Sequence, residues 1–149
     1  MKRREFIGLV GGAAAWPLAA RAQPIKRIGV LLTYDESDTE GQARIAAFRD
    51  GLQKSGWIEG ANIQIAFRWA STDRNQIERS AKELVNQRPD LIVAQNTPAT
   101  SAVLQHSRSI PVVFFQASDP EGSGFVASLP RPDGNVTGFI DIEASLVGK

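Results

Sequence analysis

From Arg27 onward the chain alternates short β-branched runs with amphipathic stretches, the pattern of strands and helices on a parallel sheet. Arg27-Ile28-Gly29-Val30-Leu31-Leu32-Thr33-Tyr34 predicts a first strand buried on both faces. Between Glu40 and Ser55, Ile45, Phe48 and Leu52 recur at helical spacing, and Gly56 stands where that helix should end. Asn62 to Trp69 alternates instead, with Ile63, Ile65 and Phe67 on one side, which predicts a second, more peripheral strand. Asp73 or Asn75 is placed to cap another helix, with Ile77, Ala81, Leu84 and Val85 inward, a Glu78 to Lys82 pair outward and Pro89 as its stop.

Leu91-Ile92-Val93-Ala94-Gln95 predicts a third strand, and Thr97-Pro98 opens a third helix with a capping hydroxyl and a proline in its first turn. Pro111 to Gln116 reads as a fourth strand. A helical patch around Phe125 to Leu129, a turn at Pro132-Asp133-Gly134-Asn135 and a brief strand at Val136 to Phe139 follow. The fold class is therefore α/β, an open parallel sheet with helices on both faces, Rossmann-like or flavodoxin-like. Glu143 to Lys149 looks like the opening turns of a helix, shorter than the roughly 12 residues an isolated helix needs. The reading is a chain cut short, and the DNA downstream of Lys149 decides it.

Ahead of this pattern, Lys2, Arg3 and Arg4 precede an uncharged apolar run from Phe6 to Leu18, and Ala20-Arg21-Ala22 has the small-x-small form of a cleavage site. Residues 1–22 therefore read as an export signal, with Gln23 as the mature end. Gly11, Gly12 and Pro17 interrupt a run already shorter than the roughly 20 residues of a membrane-spanning helix. Arg3-Arg4 with Phe6-Ile7 resembles the twin-arginine motif, though Lys2 and Gly8 depart from it, so the general export route stays open.

Removing this segment changes the charge balance. It holds four of the 17 Lys and Arg but one of the 16 acidic residues, leaving 13 against 15. A mildly acidic remainder argues against a nucleic-acid partner. Cys is absent from the sequence, so it offers neither a thiol nucleophile nor a disulfide.

Ligands of open parallel sheets bind beyond the carboxyl ends of the strands. The loops to weigh are Thr33-Tyr34-Asp35-Glu36, Asn96-Thr97-Pro98-Ala99-Thr100 and Ala117-Ser118-Asp119-Pro120, rich in small hydroxyl and amide groups. Such groups suit a small polar ligand such as a carboxylate, although Thr97 and Asp119 also fit as plain helix caps. A nucleotide would need glycines where the first loop has Asp35, Glu36 and Asp38. The only His, His106, falls within the third helix beside Gln105, Ser107 and Arg108, which predicts a solvated surface position. No cluster has metal spacing, and no cofactor is expected. Trp57 and Trp69 flank the second strand as packing residues.

Several blocks in order then resemble one family: Gly29-Val30-Leu31, Gly56-Trp57-Ile58-Glu59-Gly60, Pro89-Asp90-Leu91-Ile92-Val93-Ala94, Thr97-Pro98-Ala99-Thr100, Ser118-Asp119-Pro120 and Gly134-Asn135-Val136-Thr137-Gly138-Phe139. The stretch from Arg27 to Lys149 is similar to the substrate-binding proteins of ABC transporters in the tryptophan/tyrosine-binding-like group, which have the type I periplasmic-binding-protein fold. Asp133 and Pro130 depart from its usual residues. The resemblance implies a ligand carrier, not an enzyme, serving an inner-membrane permease and monomeric at full length. It implies an N-terminal lobe at 23–142 and, at 143–149, the start of a crossover helix, with a second lobe to follow. Ligand contacts would come from Asn96, Thr97 and Ala99, from Ser118 and Asp119, and from Thr33 and Tyr34 on the hinge side. A flavodoxin-like or nucleotide-using enzyme on the same sheet is the alternative.

The first prediction concerns export. Mass spectrometry of the exported protein should find Gln23 as its first residue, and an intact Met1 in a membrane fraction would contradict it. Replacing Arg3 and Arg4 together by Lys should abolish export if the twin-arginine route is used.

Overall fold

The computed structural model describes residues 24–140; the export signal read at 1–22 and the helix start read at 143–149 lie outside the described residues. Within them the apolar runs form β1 (Lys26–Leu32), β2 (Ile63–Trp69), β3 (Leu91–Gln95), β4 (Val112–Phe115) and β5 (Val136–Phe139). All neighbouring pairs are parallel, in the order β2-β1-β3-β4-β5. The helices are α1 (Thr39–Lys54), α2 (Arg74–Asn86) and α3 (Asn96–His106). This is the α/β sheet that the alternating pattern predicts, with β2 at an edge.

Strand periodicity divides the side chains between two faces. Leu31, Ile92, Ala94, Val112, Phe114 and Val136 face a core that Ile77, Ala81 and Leu84 of α2 and Ala102 and Val103 of α3 complete. Gly29 lies on the same face, where an added Cβ would stand 3.1 Å from Leu84. Ile28, Val30, Leu32 and Ile63 point the other way, against Ile45, Phe48 and Leu52 of α1. Beyond α1 no described element covers that second face, where Leu91, Val93, Val113, Phe115 and Phe139 border an apolar groove of about 450 Å³.

The helix ends follow local chemistry. Asp38 caps α1 by accepting the Gly41 N–H at 2.8 Å, and Gly56 leaves the helix at φ 88°. Of the two candidate caps for α2, Asp73 serves, accepting the Asn75 N–H at 2.9 Å. Trp69 is partly buried against the α1 cluster, as a packing residue should be, whereas Trp57 is exposed.

Four local expectations are corrected. The patch at Phe125 to Leu129 is not helical, because Phe125 N–H bonds to the Pro120 carbonyl and Leu129 N–H to the Glu121 carboxylate at 2.8 Å, away from any helical ladder. Phe125 and Leu129 still pack on the core. Glu78 accepts from His106 Nε2 at 2.7 Å on the neighbouring helix, not from Lys82. His106 closes α3 instead of lying within it, since Ser107 is already extended. Thr97 does not cap α3 with its hydroxyl, which is engaged elsewhere.

Two glycines separate close approach from free space. An added Cβ at Gly138 would lie 2.2 Å from the Phe114 carbonyl oxygen, while one at Gly51, inside α1, meets nothing within 4 Å. Gly138→Ala should therefore lower stability by at least about 1–3 kcal/mol through overpacking of β5 on β4. Gly51→Ala should raise it by about 1 kcal/mol through helix propensity. Urea unfolding of the two variants checks both, and a neutral Gly138→Ala would refute the close approach.

Candidate functional site

The strand order places a switch point between β1 and β3. From β1 the chain turns to one edge through α1, and from β3 to the other through α3, so the loops part at the carboxyl end. β3 enters α3 without a connecting loop: Gln95 is the last strand residue and Asn96, at φ 63°, the first of the helix. Asn tolerates this left-handed backbone better than most residues.

Gln95, only 5% exposed, bridges three strands. Its Oε1 accepts the Thr33 N–H at 2.9 Å and the Thr33 hydroxyl at 3.2 Å, and its Nε2 donates to Gln116 Oε1 at 3.0 Å. Thr33 Oγ1 in turn accepts from Asn96 Nδ2. Asn96 Oδ1 accepts the Ala99 N–H at 3.2 Å, and its carbonyl accepts the Thr100 hydroxyl at 2.7 Å. Next to this relay, Thr97 Oγ1 donates to the Ser118 carbonyl at 3.1 Å and accepts the Ser118 N–H at 3.0 Å. That reciprocal pair locks the start of α3 to the loop after β4.

Thr33, Asn96 and Thr97 line a cleft of about 410 Å³ that runs between α2 and α3, with Thr72, Arg74 and Ser101 on its walls. The other sequence-derived candidates sit around it. Ser118 is held by Thr97. Asp119, at φ 43°, folds its carboxylate onto its own turn, accepting the Gly122 N–H at 2.9 Å. Ala99 is fully buried, with its N–H already taken by Asn96. Tyr34 is half-buried, its Cβ 2.9 Å from where a Gly41 Cβ would stand, and its carbonyl accepts the Ser71 N–H at 3.2 Å. The Glu40 carboxylate at 2.6 Å, with Tyr34 beside it, raises Arg44 above its ordinary range, so this cation is committed to its own helix.

Sequence reasoning missed Gln95, Gln116, Thr72 and Arg74. The signal for the first two was a matched pair: both apolar runs, at 91–95 and 112–116, end in Gln. Among the described residues no group of three or more His, Cys, Asp or Glu could hold a metal ion.

The geometry has relatives. The profile of the family described as "ABC transporter substrate binding protein" matches residues 36–146, well over half of the sequence, and the chain belongs to that family. Its members bind substrates and are not enzymes. A tyrosine-binding protein of Clostridioides difficile is 35% identical over 116 residues, covering 78% of this chain and 33% of the relative. The ligand-free, open structure of a Clostridium difficile substrate-binding protein with adhesive properties is 30% identical, with a TM-score of 0.73, covering 81% of this chain and 41% of that one. A Streptococcus pneumonia ABC domain in complex with L-Trp is also 30% identical, with a TM-score of 0.71, over 78% of this chain and 39% of that one. The chain thus spans about a third to two fifths of the length of these relatives.

The relay gives a direct test. Gln95→Leu keeps the bulk but leaves the Thr33 N–H and the Gln116 amide without their partner, which should cost about 1–3 kcal/mol. Amide exchange at Thr33 should quicken in the variant, and unchanged exchange and stability would remove Gln95 from its bridging role.

Proposed function

We propose that this chain is the N-terminal ligand-binding lobe of an exported solute-binding component, which carries a small polar molecule, an amino acid or similar, to an ABC permease of the inner membrane for import. It works in the periplasm after loss of residues 1–22, as a monomer at full length. The observation that carries this reading is the cleft of about 410 Å³ at the sheet's carboxyl edge, within the size range of small-molecule sites. Thr33, Asn96 and Thr97 meet the ligand directly. Ser118 acts through its lock on Thr97, Ala99 through the helix start it shares with Asn96, and Tyr34 and Asp119 from the flanking loops. Family membership and the amino acids named for two relatives support the ligand class.

This lobe supplies one wall of the site. Two-walled clefts bury most of a small ligand, and each 1.4 kcal/mol of lost contact is about tenfold in affinity. Residues 1–149 alone should therefore bind weakly, and micromolar affinity from them would refute the one-wall reading. A nucleotide-using enzyme finds no support in the first loop, where Asp38 caps α1 and no glycine precedes Gly41. Thermal unfolding of the full chain, with any second lobe its gene encodes, should be scanned against amino acids, sugars and nucleotides. A ligand at about a hundred times its Kd should add about 2.7 kcal/mol. Selective stabilisation by an amino acid is expected; selective stabilisation by a nucleotide would overturn the proposal.

A further inference from the structure

The rim of the cleft carries an exposed cation, Arg74. Arg74 is the first residue of α2, where the positive end of the helix dipole disfavours a basic side chain. It forms no ion pair among the described residues. Glu78, one turn on and the natural i,i+4 partner, is instead bound to His106 at 2.7 Å. Arg74 nevertheless lines the same cleft as Thr33, Asn96 and Thr97, with Thr72 and Ser101 beside it.

The segment that presents Arg74 is firmly held. Ala70 is fully buried and its N–H donates to the Leu32 carbonyl at 2.8 Å; Ser71 N–H reaches the Tyr34 carbonyl. Gln76 Nε2 donates to the Trp69 carbonyl at 3.0 Å, and Asp73 caps the helix. Arg74 is an exposed residue on the rim of this cleft, without an ion pair among the described residues and at the start of an anchored helix, and a guanidinium so placed can receive an anion in bidentate fashion. Of the acidic groups at this edge, Asp38 and Asp119 bind backbone N–H groups, and Glu78, which also lines the cleft, binds His106.

We propose that Arg74, supported by the hydroxyls of Thr72 and Ser101, is a specificity-determining residue that binds the carboxylate of the ligand. The proposal rests on the solute-binding reading and assigns the chemistry by which that site selects its solute. Amines lacking a carboxylate gain nothing from this guanidinium and are not favoured by it.

The experiment compares the full chain, with any second lobe its gene encodes, as wild type, Arg74→Gln and Arg74→Lys. Probes are L-tyrosine, L-tryptophan, their decarboxylated amines tyramine and tryptamine, and 3-phenylpropionate, a carboxylate without an ammonium group. Arg74→Gln should weaken binding of the carboxylates by about ten- to a hundredfold, the usual effect of losing a hydrogen bond to a charged group, with Arg74→Lys between the two. It should leave the amines unaffected. Without ligand, its melting midpoint should equal or exceed that of wild type, since a cation leaves the helix amino end. Equal carboxylate binding by wild type and Arg74→Gln, or a ligand-free midpoint several degrees lower, overturns the role of Arg74 and spares the amino-acid reading. Binding of 3-phenylpropionate but neither amino acid, lost in Arg74→Gln, upholds Arg74 and overturns the amino-acid reading. A wild type that none of these carboxylates stabilises overturns both.

Discussion

The amide of Gln95 is the interaction on which the carboxyl edge of the sheet depends. A buried primary amide left without partners costs about 1–3 kcal/mol, so its position is permitted only where both ends are satisfied. Here the oxygen is met by the backbone and hydroxyl of Thr33 after β1, and the nitrogen by Gln116 after β4. Three strand ends are thereby fixed relative to one another from a single side chain. The Thr33 hydroxyl, oriented by that bond, is then available as the acceptor for Asn96 Nδ2. Asn96 in turn has its carboxamide oxygen turned to the first turn of α3. A cleft wall built this way is set before any ligand arrives.

Backbone strain gathers at the same edge. Ser71, Asn96, Gln116 and Asp119 all have φ between 43° and 63°, and all follow a strand's carboxyl end; Arg88, after α2, is the other non-glycine residue in this region. Each such residue costs on the order of 1–3 kcal/mol unless its surroundings over-determine it. Asn and Asp tolerate the conformation best, and Gln116 is held by Gln95. The sheet spends regularity at one edge, where side chains must be aimed into the cleft, while Gly138 and Phe114 keep β5 tight against β4.

What was legible in the sequence was periodic. Period-two runs at Ile63 to Phe67 and helical spacing at Ile77, Ala81 and Leu84 each report a face to bury, so the strands and the helix faces follow from local pattern, while the strand order does not. Thr33, Asn96 and Thr97 were legible as loop residues because parallel sheets place their sites at that edge. The relay was not. Gln95 finds partners 62 and 21 residues away, and a polar residue ending an apolar run looks like any strand terminus. Thr97 looked like a cap for the same reason: a threonine before a proline has the local signature of one, and only the tertiary position of Ser118 diverts its hydroxyl. Glu78 likewise chose His106, 28 residues on, over the neighbour four residues away.

The valences left over at this edge bear on what it can hold. Thr33 and Thr97 each already donate and accept, so their hydroxyls have little to offer beyond a remaining lone pair. Asn96 has its carboxamide oxygen taken and one amide hydrogen to spare. At the amino end of α3 the Asn96 Oδ1 takes the Ala99 N–H, while Gln95 makes no side-chain cap. Arg74 adds five donors and no acceptor. The surplus within the cleft is therefore of donors, since Glu78, the carboxylate residue on its lining, is bound to His106. A ligand that brings acceptors, above all a delocalised anion, fits that surplus without breaking the relay. A ligand that brings only donors would find little there beyond the remaining lone pairs of Thr33 and Thr97.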